Sequence, residues 1–251
     1  HLPLWIEATW VDGDGTLFAW YHHEQWVCNP LAVPKIGALV SYDGGFTFTD
    51  LGIILESGYS SDCRAQNGYF AGGHGDFTVL LDRWNQYFYF YFTNYSGPLQ
   101  SQGVAVARMA FLDRRQPVGR VWKFHEDSWA EPGLRGRVTA LLPARVSWTR
   151  AETDSFWGPA LHWNTHLNQY VMLLNRACCA PGWPQEGIYI SYNPDLSNPY
   201  AWTAPKKILD DAQGRWYPQV IGVEPGSTDK IADERARFYL GGESFWEIVF
   251  E

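Results

Sequence analysis

The feature that most constrains this chain is a recurrence of short strand-like runs, each closed by a cluster of Gly, Asp, Asn or Pro. "LWIEATWV" (4–11), "TLFAWYHHE" (16–24), "KIGALVSYD" (35–43) and "FTDLGIILES" (48–57) make one set. "DFTVLLD" (76–82), "YFYFYFTN" (87–94), "QGVAVARMAFL" (102–112) and "RVWKFHE" (120–126) make a second. A third holds "GPALHWN" (158–164), "QYVMLLNRA" (169–177), "GIYISYN" (187–193) and "AWTAPKKIL" (201–209). A shorter fourth holds "WYPQVIG" (216–222), "ARFYLGG" (236–242) and "FWEIVFE" (245–251). Apolar runs bounded by turn residues read as strands, and almost nothing carries a helical period. Sets of roughly 50 residues, each an up-and-down meander, are the pattern of a β-propeller, with a β-sandwich of coincidental spacing as the alternative.

The chain therefore predicts an all-β fold, a single domain over 1–251 built of four-stranded antiparallel blades. Five blades are expected. The fifth would come from strands preceding His1, the N-terminus then being incomplete, or from an irregular blade in 127–156, where "RVTALLPARVSW" (137–148) offers strands.

Composition narrows the function classes. A hydrophobic fraction of 46% against 18% charged residues excludes a disordered chain. No run is long and uncharged enough to be a membrane span. A net charge of −8 without clustered Lys or Arg argues against nucleic acid as a partner. Fourteen each of Trp, Tyr and Phe suit a β core and also offer faces on which sugar rings stack. Cys28, Cys63, Cys178 and Cys179 form no CxxC pair, which excludes zinc-ribbon and thioredoxin readings. They allow a Cys28–Cys63 disulfide and, at Cys178–Cys179, either a vicinal disulfide or two thiols. Such pairing suits a secreted or periplasmic protein. "NYS" (94–96) fits the N-glycosylation pattern.

"SYDGGFTF" (41–48) joins the third and fourth runs of the first set, and "SYNPDLSNPYAW" (191–202) occupies the same slot in the third. The first resembles the Asp-box of sialidases, S-x-D-x-G-x-T-W, with Phe48 for the Trp. That box is structural, so Asp43 is expected to be a hairpin corner whose carboxylate bonds turn backbone. In an up-and-down blade these corners share one face with the short turns "DGDG", "RWNQ" and "THLN". The long loops 22–34, 56–76, 94–103, 126–157, 176–187 and 211–217 share the other, and long loops grouped on a rigid scaffold are where sites are built.

On that face "GGHGDFTVLLD" followed by "YFYFYFTN" resembles the five-bladed propeller glycosidases: arabinanases, xylosidases, fructosidases and levansucrases. "NPDLSNPYAWTAPKKIL" resembles their S-x-D-L-x-x-W-x-x-P segment, and "FWGPALHWN" (156–164) sits where they carry E-G-P with the general acid. The resemblance implies hydrolysis of a poly- or oligosaccharide. Trp157 stands for the Glu of E-G-P, and Trp cannot donate a proton. The acid would then come from Glu7, Glu186, Glu243 or His162, since some related enzymes use a His.

Glycoside hydrolysis needs two groups flanking the scissile bond. Asp76 opens an inner strand after "GGHG", where glycines permit close backbone approach and His74 adds a polar neighbour; the plainer reading is an Asp closing a Gly-rich turn. Glu7 interrupts an apolar strand, and a buried Glu needs a partner or a role. Aligning the sets puts Glu7 level with Phe77, one step from Asp76, so both face the tunnel only if a bulge or unequal turn intervenes. His22, His23 and Glu24 end a strand on the loop face, where one of them could bind a sugar hydroxyl; adjacent His point apart and make no metal clamp. Arg64 and Arg176 could meet an acidic sugar, while Trp183, Trp216 and Tyr217 could stack on one. No cofactor is expected beyond a structural Ca²⁺ in the central tunnel, which no motif indicates. The expected partner is carbohydrate, with oligomeric state left open. A non-catalytic sugar-binding or scaffold propeller is the second reading.

Overall fold

The computed structural model describes residues 4–210 and 215–251, so 211–214 of the last long loop lie outside the described residues. Four sheets form, in chain order. Blade one is the meander β1 (Leu4–Val11), β2 (Leu17–Cys28), β3 (Leu31–Ser41) and β4 (Thr49–Leu55). Blade two runs β5 (His74–Leu81), β6 (Tyr87–Asn94), β7 (Gly103–Ala110), β8 (Val121–His125) and β9 (Ser128–Pro132), with the short β10 (Leu142–Pro143) paired to β7. Blade three is β11 (Ser155–Asn164), β12 (Gln169–Ala177), β13 (Gln185–Asn193) and β14 (Lys206–Asp210); β16 (Ile231–Ala232) runs parallel along β11. Blade four has three strands: β15 (Gln219–Gly222), β17 (Arg235–Leu240) and β18 (Glu243–Val249). The first strands of successive blades lie against one another, β1 on β5, β5 on β11 and β11 on β15, which is the propeller arrangement.

The expectation of five blades is corrected to four among the described residues. Residues 127–156 extend blade two instead of making their own sheet. Trp122 and Lys123 pair with Pro132 and Glu131, and Leu142 pairs with Val104. Lys123 fastens this segment from beneath, its buried Nζ donating to Glu56 O at 2.7 Å and Gly136 O at 2.8 Å.

β6 shows why these sequences become blades. It is buried on both faces, and its period-2 alternation sorts two aromatic types. Phe88, Phe90 and Phe92 join the core shared with blade one, among Trp20, Ile36 and Val40. Tyr89 and Tyr91 join the core shared with blade three, among Leu161, Met172 and Tyr189. The Tyr91 hydroxyl accepts from Trp202 Nε1 at 3.3 Å, so its polar tip is not buried unpaired. A third core, around Val171, Ile190, Val220 and Phe238, joins blades three and four.

The 41–48 stretch is a corner between β3 and β4. Asp43 Oδ1 accepts from Ser41 Oγ and from Thr47 N, at 2.8 and 2.9 Å, and Oδ2 accepts from Thr47 Oγ1 at 2.6 Å. These donors hold the Asp43 pKa down to about 2. "NYS" is not an attachment site in the folded chain. Asn94 is fully buried, its amide donating to Ser96 O and Ser101 O. No helix among the described residues is long and apolar enough to cross a membrane.

Cys28 is bonded to Cys63, and Cys178 to Cys179. The Cys28–Cys63 bond closes a 35-residue separation between the end of β2 and the 56–76 loop. Replacing both residues by Ser is expected to lower unfolding free energy by roughly 3 to 4 kcal/mol, from the entropy the open loop regains when unfolded. Urea denaturation of the variant and the oxidised parent measures it, and equal midpoints would refute it.

Candidate active site

A cavity of about 560 Å³ opens among the long loops where the first strands of the blades converge. β1 and β2 contribute Trp5, Glu7, His22 and Glu24, β5 contributes Asp76, and β11 contributes Trp157 and Gly158. Loop residues Tyr69, Phe70, Trp183, Trp216 and Tyr217 complete the wall, and Lys230 reaches in from blade four, donating to Thr78 at 3.1 Å.

At this cavity three of the first strands break their ladders. In β1, Ile6 pairs with Tyr21 and Ala8 with Trp20, leaving Glu7 bulged out. In β5, Gly75 pairs with Thr93 and Phe77 with Phe92, leaving Asp76 bulged at φ 42°. In β11 the break falls at Gly158 and Pro159, with Gly158 at φ 55°. Tyr217, just before β15, has φ 61°. A bulge re-aims a side chain without ending its sheet, and here it brings Glu7 and Asp76 to one cavity despite their one-step offset. Non-glycine residues at positive φ cost about 1–3 kcal/mol each and concentrate at functional sites.

The polar floor is a connected cluster. Glu7 Oε1 lies 2.8 Å from His22 Nδ1, and Glu7 Oε2 accepts from Phe77 N at 2.7 Å. Nδ1 also lies 3.3 Å from the donating Asp76 N–H, so it sits between a carboxylate oxygen and a backbone amide. Asp76 Oδ2 accepts from the Tyr95 hydroxyl and Oδ1 from the Tyr217 hydroxyl at 3.0 Å. The backbone of Gly75 passes so close to His22 that a Cβ there would lie 2.6 Å from His22 Cε1. That is the close approach "GGHG" suggests.

Electrostatics follow from burial and from three carboxylates around one imidazole. Desolvation opposes a charge on His22, but the Glu7 bond and the charges of Glu7, Asp76 and Glu24 outweigh it and raise its pKa to about 9. Burial raises the Glu7 pKa, against the pull of His22. Burial also raises that of Glu24, with Asp76 adding to the shift and His22 opposing it.

These shifts predict a pH dependence. Folded His22 holds its proton up to about 9, against an ordinary 6.5 when unfolded. Its contribution is complete below pH 6.5 and is lost as pH rises through 9, a change of about 3 kcal/mol across that window. Buried Lys123 acts oppositely, because desolvation lowers its pKa from 10.5 to about 7 and stability therefore rises with pH over that interval. A His22→Gln variant keeps Lys123, so the difference between variant and wild-type denaturation midpoints isolates His22. The wild-type advantage should shrink from pH 6.5 to 9; a difference flat in pH would refute the assignment.

Glu7, His22 and Asp76 each bring a ligand-type atom within 4.8 Å of the others, spacing that suits a cation. The donor set does not fit one as built. Both Glu7 oxygens face N–H groups and both Asp76 oxygens face phenol donors, so the carboxylates are taken up by hydrogen bonds, and of the cluster only His22 Nε2 is unpaired among the described residues. Asp154 with Cys178 and Cys179 meets the same spacing, but both sulfurs are consumed in a disulfide.

Comparison with solved structures gives an exo-1,5-α-L-arabinanase from a bovine ruminal metagenomic library, TM-score 0.56 at 11% identity, covering 99% of this chain and 78% of that one. A mutant α-L-arabinanase of Cellvibrio cellulosa gives 0.53 at 10% identity, covering 97% and 71%. A mutant α-L-arabinofuranosidase of Fusarium graminearum, bound to an iminosugar inhibitor, gives 0.52 at 11%, covering 95% of this chain and 55% of that one. The chain has the fold of the propeller arabinanases. It spans little more than half of the Fusarium protein's length. No protein-family model and no curated protein matches the sequence.

Within this propeller, Asp76, Glu7, His22, Trp157, Trp183, Trp216 and Tyr217 line that cavity together. Trp183 is the hub of its apolar wall, with ring centroids 4.5 Å from Trp148, 4.8 Å from Tyr69 and 5.3 Å from Trp157. Trp157 is 1% exposed and buttresses the wall, whereas Trp5 at 48% and Tyr217 at 51% offer open faces.

The other sequence candidates lie elsewhere. His74 is fully buried on Phe92, separated from Asp76 by the bulge that turns the two apart. His162 packs on Phe250 in the core between blades three and four, where burial drops its pKa to about 3. His23 falls on the opposite face of β2 from His22, near Tyr21. Glu186 is taken up by Lys207, Tyr189 and Arg176, and Glu243 by Arg215 at 2.6 Å. Arg176 makes a two-pronged pair with Asp154 at 2.9 and 3.0 Å, and Arg64 stands in solvent beside Asp62. Neither arginine lines the cavity, so an acidic sugar would find no guanidinium there.

Trp5 and Tyr95 are absent from the sequence-derived set, and Glu24 is there only as one of three residues that could bind a sugar hydroxyl. Glu24 had a readable signal: two positions after His22 on one strand, it shares that residue's face. Tyr95 had none, because its hydroxyl meets Asp76 only once the loop after β6 has folded over the bulge.

Proposed function

We propose that the chain is a glycoside hydrolase-like propeller that acts on a poly- or oligosaccharide by carboxylate acid/base chemistry in the central cavity. The observation that carries this is Asp76: a bulged, buried carboxylate oriented by two tyrosine hydroxyls, facing an aromatic-walled space of about 560 Å³. Asp76 serves as the base toward water or as the stabiliser of developing positive charge at the anomeric carbon. Trp5, Tyr69 and Tyr217 supply ring-stacking faces, and the proposed chemistry uses protein side chains alone. The disulfides support a secreted or periplasmic setting, and the 41–48 corner is assigned as an Asp-box with a purely structural role.

The test is turnover across a panel of aryl glycosides together with arabinan, chosen because the structural neighbours include an arabinanase. Release of aryl alcohol or reducing sugar is expected. A complete lack of turnover, with ring-stacking ligands still bound, would favour the second reading, a sugar-binding propeller. That reading is motivated by Trp157, which stands where the E-G-P resemblance asks for the acid.

A further inference from the structure

We propose that Glu24 is the proton donor of this cavity, with His22 Nε2 the neighbour it can turn toward. The inference rests on the glycosidase reading and supplies the acid that Trp157 cannot.

Three carboxyl groups line the cavity. Glu7 accepts from two donors, His22 Nδ1 and Phe77 N, which fix both of its oxygens on the cavity floor. Asp76 is committed to the Tyr95 and Tyr217 hydroxyls. Among the described residues no donor within hydrogen-bond distance holds Glu24, and its side chain is 23% exposed, toward the cavity. It is thus the carboxyl that can approach a leaving-group oxygen.

His22 connects Glu24 to the floor. Nδ1 is spent on Glu7, while Nε2 is buried without a hydrogen-bond partner, and Glu24 Oε1 stands 3.7 Å from it. An unpaired buried N–H is costly, so a small swing of Glu24 toward Nε2 is favoured. Glu7, His22 and Glu24 then form a row along the cavity, the two carboxyl side chains about equally exposed, at 21% and 23%. Burial favours the protonated form of Glu24, as an acid requires, while the His22 charge opposes it and Asp76 adds to it.

In the step itself the bond between the anomeric carbon and the glycosidic oxygen breaks, and that oxygen takes the proton of Glu24. A water oxygen bonds to the anomeric carbon and passes one proton to Asp76. Glu24 regains a proton from solvent and the proton on Asp76 returns to solvent, so net consumption is one water per bond.

An acid is needed most when the leaving group is poor. Kinetics of Glu24→Gln on phenyl and 2,4-dinitrophenyl glycosides of the sugar found active in the aryl-glycoside panel therefore test the assignment. On the phenyl glycoside kcat/KM should fall about 10²-fold or more, and on the dinitrophenyl glycoside less than about threefold. Glu24→Asp, which keeps the acid and shortens its reach, should lie between wild type and Gln on the phenyl substrate. Equal losses on both substrates, or no loss on either, would overturn the role of Glu24 and leave the glycosidase reading standing. A wild-type protein that cleaves no glycoside would overturn that reading, and this inference with it.

Discussion

Asp76→Asn is expected to lower kcat/KM by about 10²- to 10⁴-fold, the range that loss of a positioned acid or base commonly costs. Asn keeps the shape of the side chain and one acceptor oxygen, so one of the two tyrosine hydroxyls retains its partner and the fold should survive. The charge is what disappears. Unlike the loss at Glu24, this one should be of similar size for good and poor leaving groups, because Asp76 acts on the water or on the sugar ring and not on the departing oxygen. Thermal unfolding of the variant separates a chemical effect from a folding one. Full activity in a folded Asp76→Asn protein would refute the assignment of Asp76.

Phe90→Ala should be the most destabilising change among those proposed, costing roughly 3–5 kcal/mol. Phe90 is fully buried in the middle of β6, its ring 5.7 Å from that of Trp20 across the boundary between blades one and two. Its neighbours are held by hydrogen-bond ladders on both sides and cannot close over the space. Urea denaturation should show the loss as a lower midpoint, and a loss below about 1 kcal/mol would mean that the blades repack freely. Trp84→Ala is a useful control, since Trp84 is 76% exposed at a turn. That substitution should fall within about 0.5 kcal/mol of the parent.

The propeller was readable because its causes are local. Alternating apolar runs at regular spacing leave few other folds, and "YFYFYFTN" announces a strand buried on both faces. The corner at Asp43 was equally legible, because Ser41, Asp43 and Thr47 bond one another within a single turn. The blade count was not. Strand-like stretches in 137–148 carry the composition of a blade, but their partners lie in β7 and across the Glu56–Gly136 carbonyls, and partner choice is a long-range matter.

The site divides the same way. Glu7 stood out as a charge in an apolar strand and Asp76 as an acid behind flexible glycines, and both lie in the cavity. His162, Glu186, Glu243, Arg64 and Arg176 occupy strand ends and loops that look similar in sequence, yet each is buried in another core, paired to another charge or left in solvent.

Local pattern thus specified strands, turns and the face bearing the long loops, because alternation and turn chemistry act between residues a few positions apart. It also named the condition for Glu7 and Asp76 to meet, a bulge, without locating it. Folding placed one bulge at each of them and a third at Gly158, set Tyr95 and Tyr217 on Asp76, and left Glu24 the unheld carboxyl of the three. A bulge costs ladder hydrogen bonds that packing between blades must offset, and that balance exists only once the blades have assembled.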